Sequence, residues 1–338
     1  MQSLRPFILA ALVCLLSPAH AADRSQQLAE RLKAAVAAST LDPSLGPWHW
    51  KLDVTLYDAK GQNPQQGTIE VWASPNGMRT VETLGATTIA TLRVGNQLFR
   101  TPGDDTAILP LDLLLQQALK PIPDAVYQPK VRLKLVARKA GQQTLDCIEP
   151  TLVDPDAALV YSGTGLSYCL AQAKADLSLA TMPFGTMLLR ARTGKFLSID
   201  VPLELQVIYR QILVAKATTT ILQTFTPQPS SFQPSPELSP FSGPVTLSPL
   251  LSAETLLDRT SIAFPPSVRA NLITSAVDLK VLIGVDGKIV STHLVGTASR
   301  ELVEAVDAEL RQRIYRPFLL NGIALQVKSE IVANYSIR

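Results

Sequence analysis

Short runs in which apolar and polar residues alternate dominate the chain from about residue 48 onward. In the first run Trp50, Leu52 and Val54 alternate with Lys51 and Asp53. A period of two is typical of strands with one buried face. Similar runs, separated by Gly, Pro and Asn turn signals, recur to about residue 223. This even spacing predicts an antiparallel meander.

Two segments of the same region have helical periodicity instead. Residues 23–40 are rich in Ala, Leu, Glu and Lys, and predict a helix that ends before Pro43. Residues 109–120 place leucines on one helical face, after a Pro110 that suits a first helical turn. We expect this second helix to cover the sheet.

A proline-rich segment divides the chain into two parts. Residues 226–249 combine repeated prolines with many serines, a composition typical of a semi-rigid, extended linker. The sequence therefore predicts a β-rich domain over residues 22–225, a linker over 226–250 and a small domain over 251–338.

The small domain predicts the order β-β-α-β. Residues 277–285 and 289–295 alternate on either side of Asp286-Gly287, a two-residue hairpin signal. Ser299 is suited to cap a helix that Pro317 then ends. An Asn-Gly turn leads into a last alternating strand. With the meander, this order predicts an α+β fold.

The first 21 residues are predicted to be a secretory signal peptide. Arg5 precedes an apolar run from Pro6 to Leu16, and Ala19-His20-Ala21 fits cleavage after Ala21. The run is shorter than the roughly 20 residues that span a bilayer. We therefore expect export to the periplasm, with an uncleaved inner-membrane anchor as the alternative.

Two cysteines remain after cleavage, Cys147 and Cys169. An even pair in an oxidising compartment predicts a structural disulfide bond. The alternative, a redox-active pair, would favour a Cys-x-x-Cys spacing, which these residues do not have.

Composition and charge exclude several classes of function. The chain is 46% hydrophobic, which excludes wholesale disorder, and its formal charge of +3 is too small to indicate nucleic-acid binding. Only His49 and His293 remain after cleavage, and no nucleophile or phosphate-binding motif is present. We therefore expect no enzymatic activity, no catalytic residue, no cofactor and no metal.

Five short motifs follow one another in the small domain: Phe264-Pro265, Asp286-Gly287, Tyr315 with Pro317, Asn321-Gly322, and the last strand Leu325–Tyr335. With these motifs, residues 255–338 resemble the C-terminal domain of the TonB family. The resemblance implies that the domain binds a peptide segment of an outer-membrane or other envelope protein by adding a strand to a sheet edge. The last strand would supply that edge, through Leu325, Val327, Ile331 and Tyr335.

Three features carry a resemblance of residues 25–225 to periplasmic lipoprotein carriers of the LolA type. They are the strand-turn run at 67–72, the leucine-rich helix at 109–120, and Gly194-Lys195-Phe196 followed by Val201-Pro202. The resemblance implies a meander curled into a half-barrel, with covering helices and an apolar cavity for acyl chains. An ordinary packed core behind the same sheet is the alternative.

These observations predict a non-enzymatic envelope protein. The leading hypothesis is that the TonB-like domain binds a membrane-protein partner by strand addition. The alternative is a periplasmic carrier that holds a lipid or lipidated cargo in the β-rich domain. If the N-terminus is an uncleaved anchor, TonB-type energy transduction is a third hypothesis.

Overall fold

A computed structural model describes residues 18–103, 109–122, 124–127, 131–140, 143–152, 166–171, 176–182, 186–228, 230–247, 274–312, 315 and 317–336. Most of the expected signal peptide and the Phe264-Pro265 motif lie outside these residues. Within them, no helix is both long enough and apolar enough to cross a membrane.

The alternating runs form one large antiparallel meander. Its strands are β1 (Trp48–Leu56), β2 (Gln65–Ser74), β3 (Gly77–Leu84), β4 (Thr87–Val94), β5 (Gln97–Arg100), β6 (Val131–Ala140), β7 (Gln143–Leu152), β8 (Ser167–Ala171), β9 (Leu177–Met182), β10 (Thr186–Phe196), β11 (Ile199–Tyr209) and β12 (Ile212–Thr224). A short strand, β13 (Ser239–Pro240), is added beside β5.

The strand order of this sheet is β13-β5-β4-β3-β2-β1-β12-β11-β10-β9-β8-β7-β6. Its first and last strands do not pair with each other among the described residues, so the sheet is open. Strands β5 and β6 lie towards opposite edges of the sheet. The two runs β1–β5 and β6–β12 are joined in the middle because β12 pairs with β1. The antiparallel meander is therefore confirmed.

Two helices cover one face of the large sheet. Helix α1 (Pro18–Ser39) contacts β6 and β11, and helix α2 (Leu109–Leu119) contacts β11. The leucine face of α2 is buried, as its periodicity predicts. Trp48 and Trp50, two residues apart on β1, are both fully buried on this covered face.

The two cysteines lie directly opposite each other on β7 and β8, and they form a disulfide bond. The predicted Cys147–Cys169 pairing is confirmed. Both residues are fully buried in a small cluster with Leu145. The bond therefore joins neighbouring strands near one edge of the large sheet.

The C-terminal part forms a second, four-stranded sheet with one helix. Strands β15 (Thr274–Ile283), β16 (Ile289–Val295) and β19 (Val327–Ser336) pair in the order β19-β15-β16, and helix α3 (Arg300–Arg311) packs on one face. A small hairpin, β17 (Phe318–Leu320) and β18 (Ile323–Leu325), separates the helix from β19. The β-β-α-β order is present with this hairpin added.

The Asp286-Gly287 turn shows why glycine is needed there. Gly287 has a φ of +81°, and a Cβ at this position would lie 1.9 Å from the carbonyl oxygen of Tyr315. The amide of Tyr315 in turn donates a 2.8 Å hydrogen bond to the carbonyl of Gly287. Two of the sequence motifs are therefore in direct backbone contact.

The proline-rich segment pairs with both sheets. Ser239–Pro240 forms β13 on the large sheet, and Val245–Thr246 forms β14, which lies parallel to β19 in the small sheet. Between them, Phe241 packs against the core of the small sheet. We call residues 239–247 the strap. Over this length, the backbone of the predicted linker hydrogen-bonds to both neighbouring sheets.

Candidate functional site

A continuous apolar layer lies between the large sheet and its two helices. We call it the covered layer. It is buried because the inward residues of the strands and the leucine faces of both helices meet there. Its members include Leu28, Leu32, Trp48, Trp50, Leu52, Ile69, Val71, Leu111, Leu114, Leu115, Ile148 and Tyr168.

A few polar contacts hold the helices at the rim of this layer. On α1, Arg31 donates a 2.7 Å hydrogen bond to Asp146 of β7, and the hydroxyl of Ser25 accepts from the amide of Leu133. The amide of Leu41 donates to the carbonyl of Leu119 and so joins the ends of the two helices. The inward side chains of both helices in this layer are chiefly leucine and alanine.

Helix α2 is attached through a buried ion pair. Arg100 of β5 contacts Asp112 at 3.0 Å, and both side chains are at most 3% exposed. Arg100 also donates a 2.7 Å hydrogen bond to the hydroxyl of Thr91. Neither charged residue stood out in the sequence, because a lone charge in a short strand or in an apolar helix carries no periodic signal.

The layer is polar at the end where the two sheets meet. Thr80, Glu82 and Thr91 are fully buried there, on the inward side of β3 and β4. The β17–β18 hairpin of the small sheet inserts its turn at this end. Asn321 donates to the backbone carbonyls of Met78 and Thr91, each at 3.4 Å. The Asn321-Gly322 motif therefore closes one end of the covered layer.

A second buried cation lies on the inward side of β10. Burial lowers the pKa of Arg190 to about 10, although the charges of Asp176 and Asp200 oppose this shift. Its guanidinium donates a 2.6 Å hydrogen bond to the backbone carbonyl of Asp200. The side chain is still charged at neutral pH, so the covered layer also has an ionic group beside β10.

The expected partner-binding edge is already partly paired. Leu325 belongs to β18, and Val327 of β19 lies opposite Val245 of the strap. Both side chains are buried, and Ile331 packs against the same core. The strap therefore pairs beside the last strand at Val327 and Lys328. Addition of a partner strand beyond the strap, towards Tyr335, stays a prediction.

The two histidines of the predicted mature chain lie on different sheets. His49 is 2.8 Å from Glu70 and stacks on Trp72 with ring centroids 4.9 Å apart, on the face opposite the covered layer. His293 is on β16 of the small sheet. Among the residues the structure describes, no group of three metal-binding side chains occurs.

No family model matches the chain, and no curated protein matches it. The TonB resemblance of residues 255–338 therefore receives no support from these comparisons.

Solved structures give faint likenesses to this chain. A domain from Vibrio parahaemolyticus assigned to outer membrane lipoprotein sorting is 11% identical, with a TM-score of 0.36 over 62% of this chain and 97% of that one. A LolA superfamily protein from Nitrosomonas europaea is 9% identical, with a TM-score of 0.37 over 61% and 97%. A DUF1329 family protein from Desulfovibrio piger is 8% identical, with a TM-score of 0.37 over 63% and 96%. TM-scores this low carry no argument about the fold or activity of this chain.

Proposed function

We propose that this protein carries a lipid or lipidated cargo in the periplasm, with the acyl chain held in the covered layer. The observation that carries the proposal is the covered layer itself: two helices with apolar inner faces lie on one face of an open sheet. The contacts that such helices make with a sheet are the same kind of contact that an acyl chain would make.

The attachment of the helices supports this proposal. Helix α2 is attached to the sheet by its buried leucine face and by the Arg100–Asp112 pair. Displacement of a helical leucine face by an acyl chain exchanges one apolar contact for another, so the apolar part of the free-energy change is small. The Cys147–Cys169 bond supports an oxidising compartment, and the predicted signal peptide would supply the route there.

The three tryptophans provide a direct test. Trp48 and Trp50 are buried in the covered layer, whereas Trp72 is on the opposite face, stacked on His49. A brominated fatty acid quenches tryptophan fluorescence only on contact. We expect 12-bromododecanoic acid to quench Trp48 and Trp50 in a Trp72→Phe variant.

The matched control is a Trp48→Phe/Trp50→Phe variant, in which Trp72 is the remaining tryptophan. Its emission should change little over the same titration. Equal quenching in both variants, or no quenching in either, would overturn the proposal. Native mass spectrometry of protein purified from periplasm without detergent should also show a bound mass that organic solvent releases.

A further inference from the structure

A cavity of about 590 Å³ lies on the small sheet, on the face opposite helix α3. Val277, Leu279, Val281 and Ile283 of β15 are buried towards the helix, so the side chains between them face the other way. The volume is within the range of small-ligand sites. The cavity is lined chiefly by Leu247, Lys280, Leu282, His293, Lys328 and Glu330.

Strand register places these side chains in two adjacent rows. In one row, Lys328 lies opposite Leu282, and Leu282 lies opposite Ser291. In the next row, Glu330 lies opposite Lys280, which lies opposite His293. Lys280 and Lys328 are therefore diagonal neighbours, within reach of one bound group. The strap completes the wall beside Lys328 with Thr246 and Leu247.

The carboxylates of this face, Asp278 and Glu330, interact with each other more strongly than with the lysines. A hydrogen bond that protonated Glu330 donates to Asp278, together with the negative charge of Asp278, raises the pKa of Glu330, while the charge of Lys280 opposes this shift. In the part of the chain that the structure describes, neither lysine ammonium group has an ion pair or a hydrogen bond. Two cations therefore face the cavity without a direct anionic partner.

We infer that this cavity binds a small anionic amphiphile, with its phosphate or carboxylate group between Lys280 and Lys328 and its apolar part on Leu282. Charge complementarity supports the anionic group, because ammonium groups bind phosphate and carboxylate through charge-assisted hydrogen bonds. Leu282 supports an apolar part, since it is only half-buried and a purely hydrated anion would leave it uncovered. This site is separate from the covered layer, which lies in the other sheet.

Histidine NMR with dodecyl phosphate, kept below its micelle concentration, tests this inference. His293 lines the cavity and His49 lies on the other sheet, so each ring reports on its own unit. We expect saturable shifts of the His293 ring with little change at His49. A Lys280→Gln/Lys328→Gln variant should bind about tenfold more weakly at this site. Lys288→Gln is the matched control, because Lys288 is exposed on the same β15–β16 hairpin outside the cavity.

Each component of the ligand has its own control. Inorganic phosphate should bind far more weakly than dodecyl phosphate, and dodecyltrimethylammonium should not shift His293. If inorganic phosphate bound as tightly as dodecyl phosphate, the cavity would be a simple anion site and the inference of an amphiphile would be wrong. The inference would also be wrong if an acidic peptide bound the cavity more tightly than dodecyl phosphate. It would be wrong as well if the Lys280→Gln/Lys328→Gln variant bound dodecyl phosphate with unchanged affinity. Quenching of Trp48 and Trp50 reports the covered layer independently, so failure of one proposal is distinguishable from failure of the other.

Discussion

At the scale of single residues, Asp307 joins helix α3 to the small sheet. It accepts hydrogen bonds from Thr292 of β16 at 2.5 Å and from Arg311 at 2.8 Å. Burial raises the pKa of Asp307, but these hydrogen bonds and the charge of Arg311 outweigh burial, so its pKa lies below the ordinary value. The ionised carboxylate therefore stabilises the folded state.

Replacing Asp307 by Asn should make stability less dependent on pH. An acid whose pKa is lower in the folded state stabilises the fold above its unfolded pKa of about 4, and this contribution is lost as the pH falls through the folded pKa. We expect Asp307→Asn to lower the free energy of unfolding by about 1 kcal/mol at neutral pH. The difference in unfolding free energy between the parent protein and the variant, measured by urea unfolding, should become smaller near pH 3. Glu304→Gln, which removes an exposed pair with Arg300, is the control and should have a smaller effect. A difference that is constant with pH would contradict the assignment.

The Arg100–Asp112 pair leads to a second prediction at this scale. Removing one partner of a buried ion pair leaves the other charge in an apolar environment, which typically costs about 3–5 kcal/mol. We expect Asp112→Ala to lower the free energy of unfolding by about that amount. Arg100→Met/Asp112→Leu should recover much of the loss, because it removes both charges together. Urea unfolding of the parent protein and the two variants measures this, and a double variant less stable than Asp112→Ala would contradict the pairing.

At the scale of elements, the disulfide bond joins two neighbouring strands near one sheet edge. The two cysteines are separated by 22 positions in sequence, and a loop of this length contributes about 3 kcal/mol in the chain-entropy model. We expect a Cys147→Ala/Cys169→Ala variant to be less stable by about this amount in urea without reductant. Reductant should destabilise the parent protein and leave the variant unchanged. The prediction would be contradicted if reductant, given access to the unfolded chain, did not lower the stability of the parent protein in urea.

The strap leads to a prediction that separates its backbone bonds from its side chains. The amides of Val245 and Leu247 donate to the carbonyls of Gln326 and Lys328, at 3.0 and 2.9 Å, whereas the amide of Thr246 makes no such bond to β19. Proline removes the amide hydrogen. We therefore expect Val245→Pro to destabilise the protein more than Thr246→Pro, and also more than Val245→Ala, which truncates the same buried side chain and keeps the amide. Hydrogen exchange of β19 should increase in the Val245→Pro variant. The reverse order would show that the strap is not held by these bonds.

At the scale of the whole molecule, the two sheets share structural elements. Leu98 of β5 packs into the core of the small sheet, Arg100 lies 5.8 Å from the ring of Phe241, and Asn321 reaches the carbonyl of Met78. The predicted boundary at 226–250 falls between the sheets, and its division of the chain into domains stays a prediction. Any motion that opens the covered layer at this end has to move the Asn321-Gly322 turn.

The sequence by itself determined the local structure. Alternation with period two requires one buried strand face, so the meander, the β15–β16 hairpin and the shared face of Trp48 and Trp50 could be predicted. Ser299 accepts a hydrogen bond from the amide of Leu302, as expected of a helix cap. The Cys147–Cys169 bond could be predicted because only two cysteines remain in the predicted exported chain.

Only the tertiary structure decided how distant segments meet. The pairing of the strap with both sheets, the burial of Arg100 against Asp112 and the position of Asn321 depend on contacts between residues far apart in sequence, for which periodicity carries no signal. The same limit applies to the last strand: its alternation predicts a strand, but whether that strand lies at an edge depends on which segment pairs beside it. Here a two-residue strand of the proline-rich segment does so, because backbone donors pair with any suitably placed strand irrespective of its side chains.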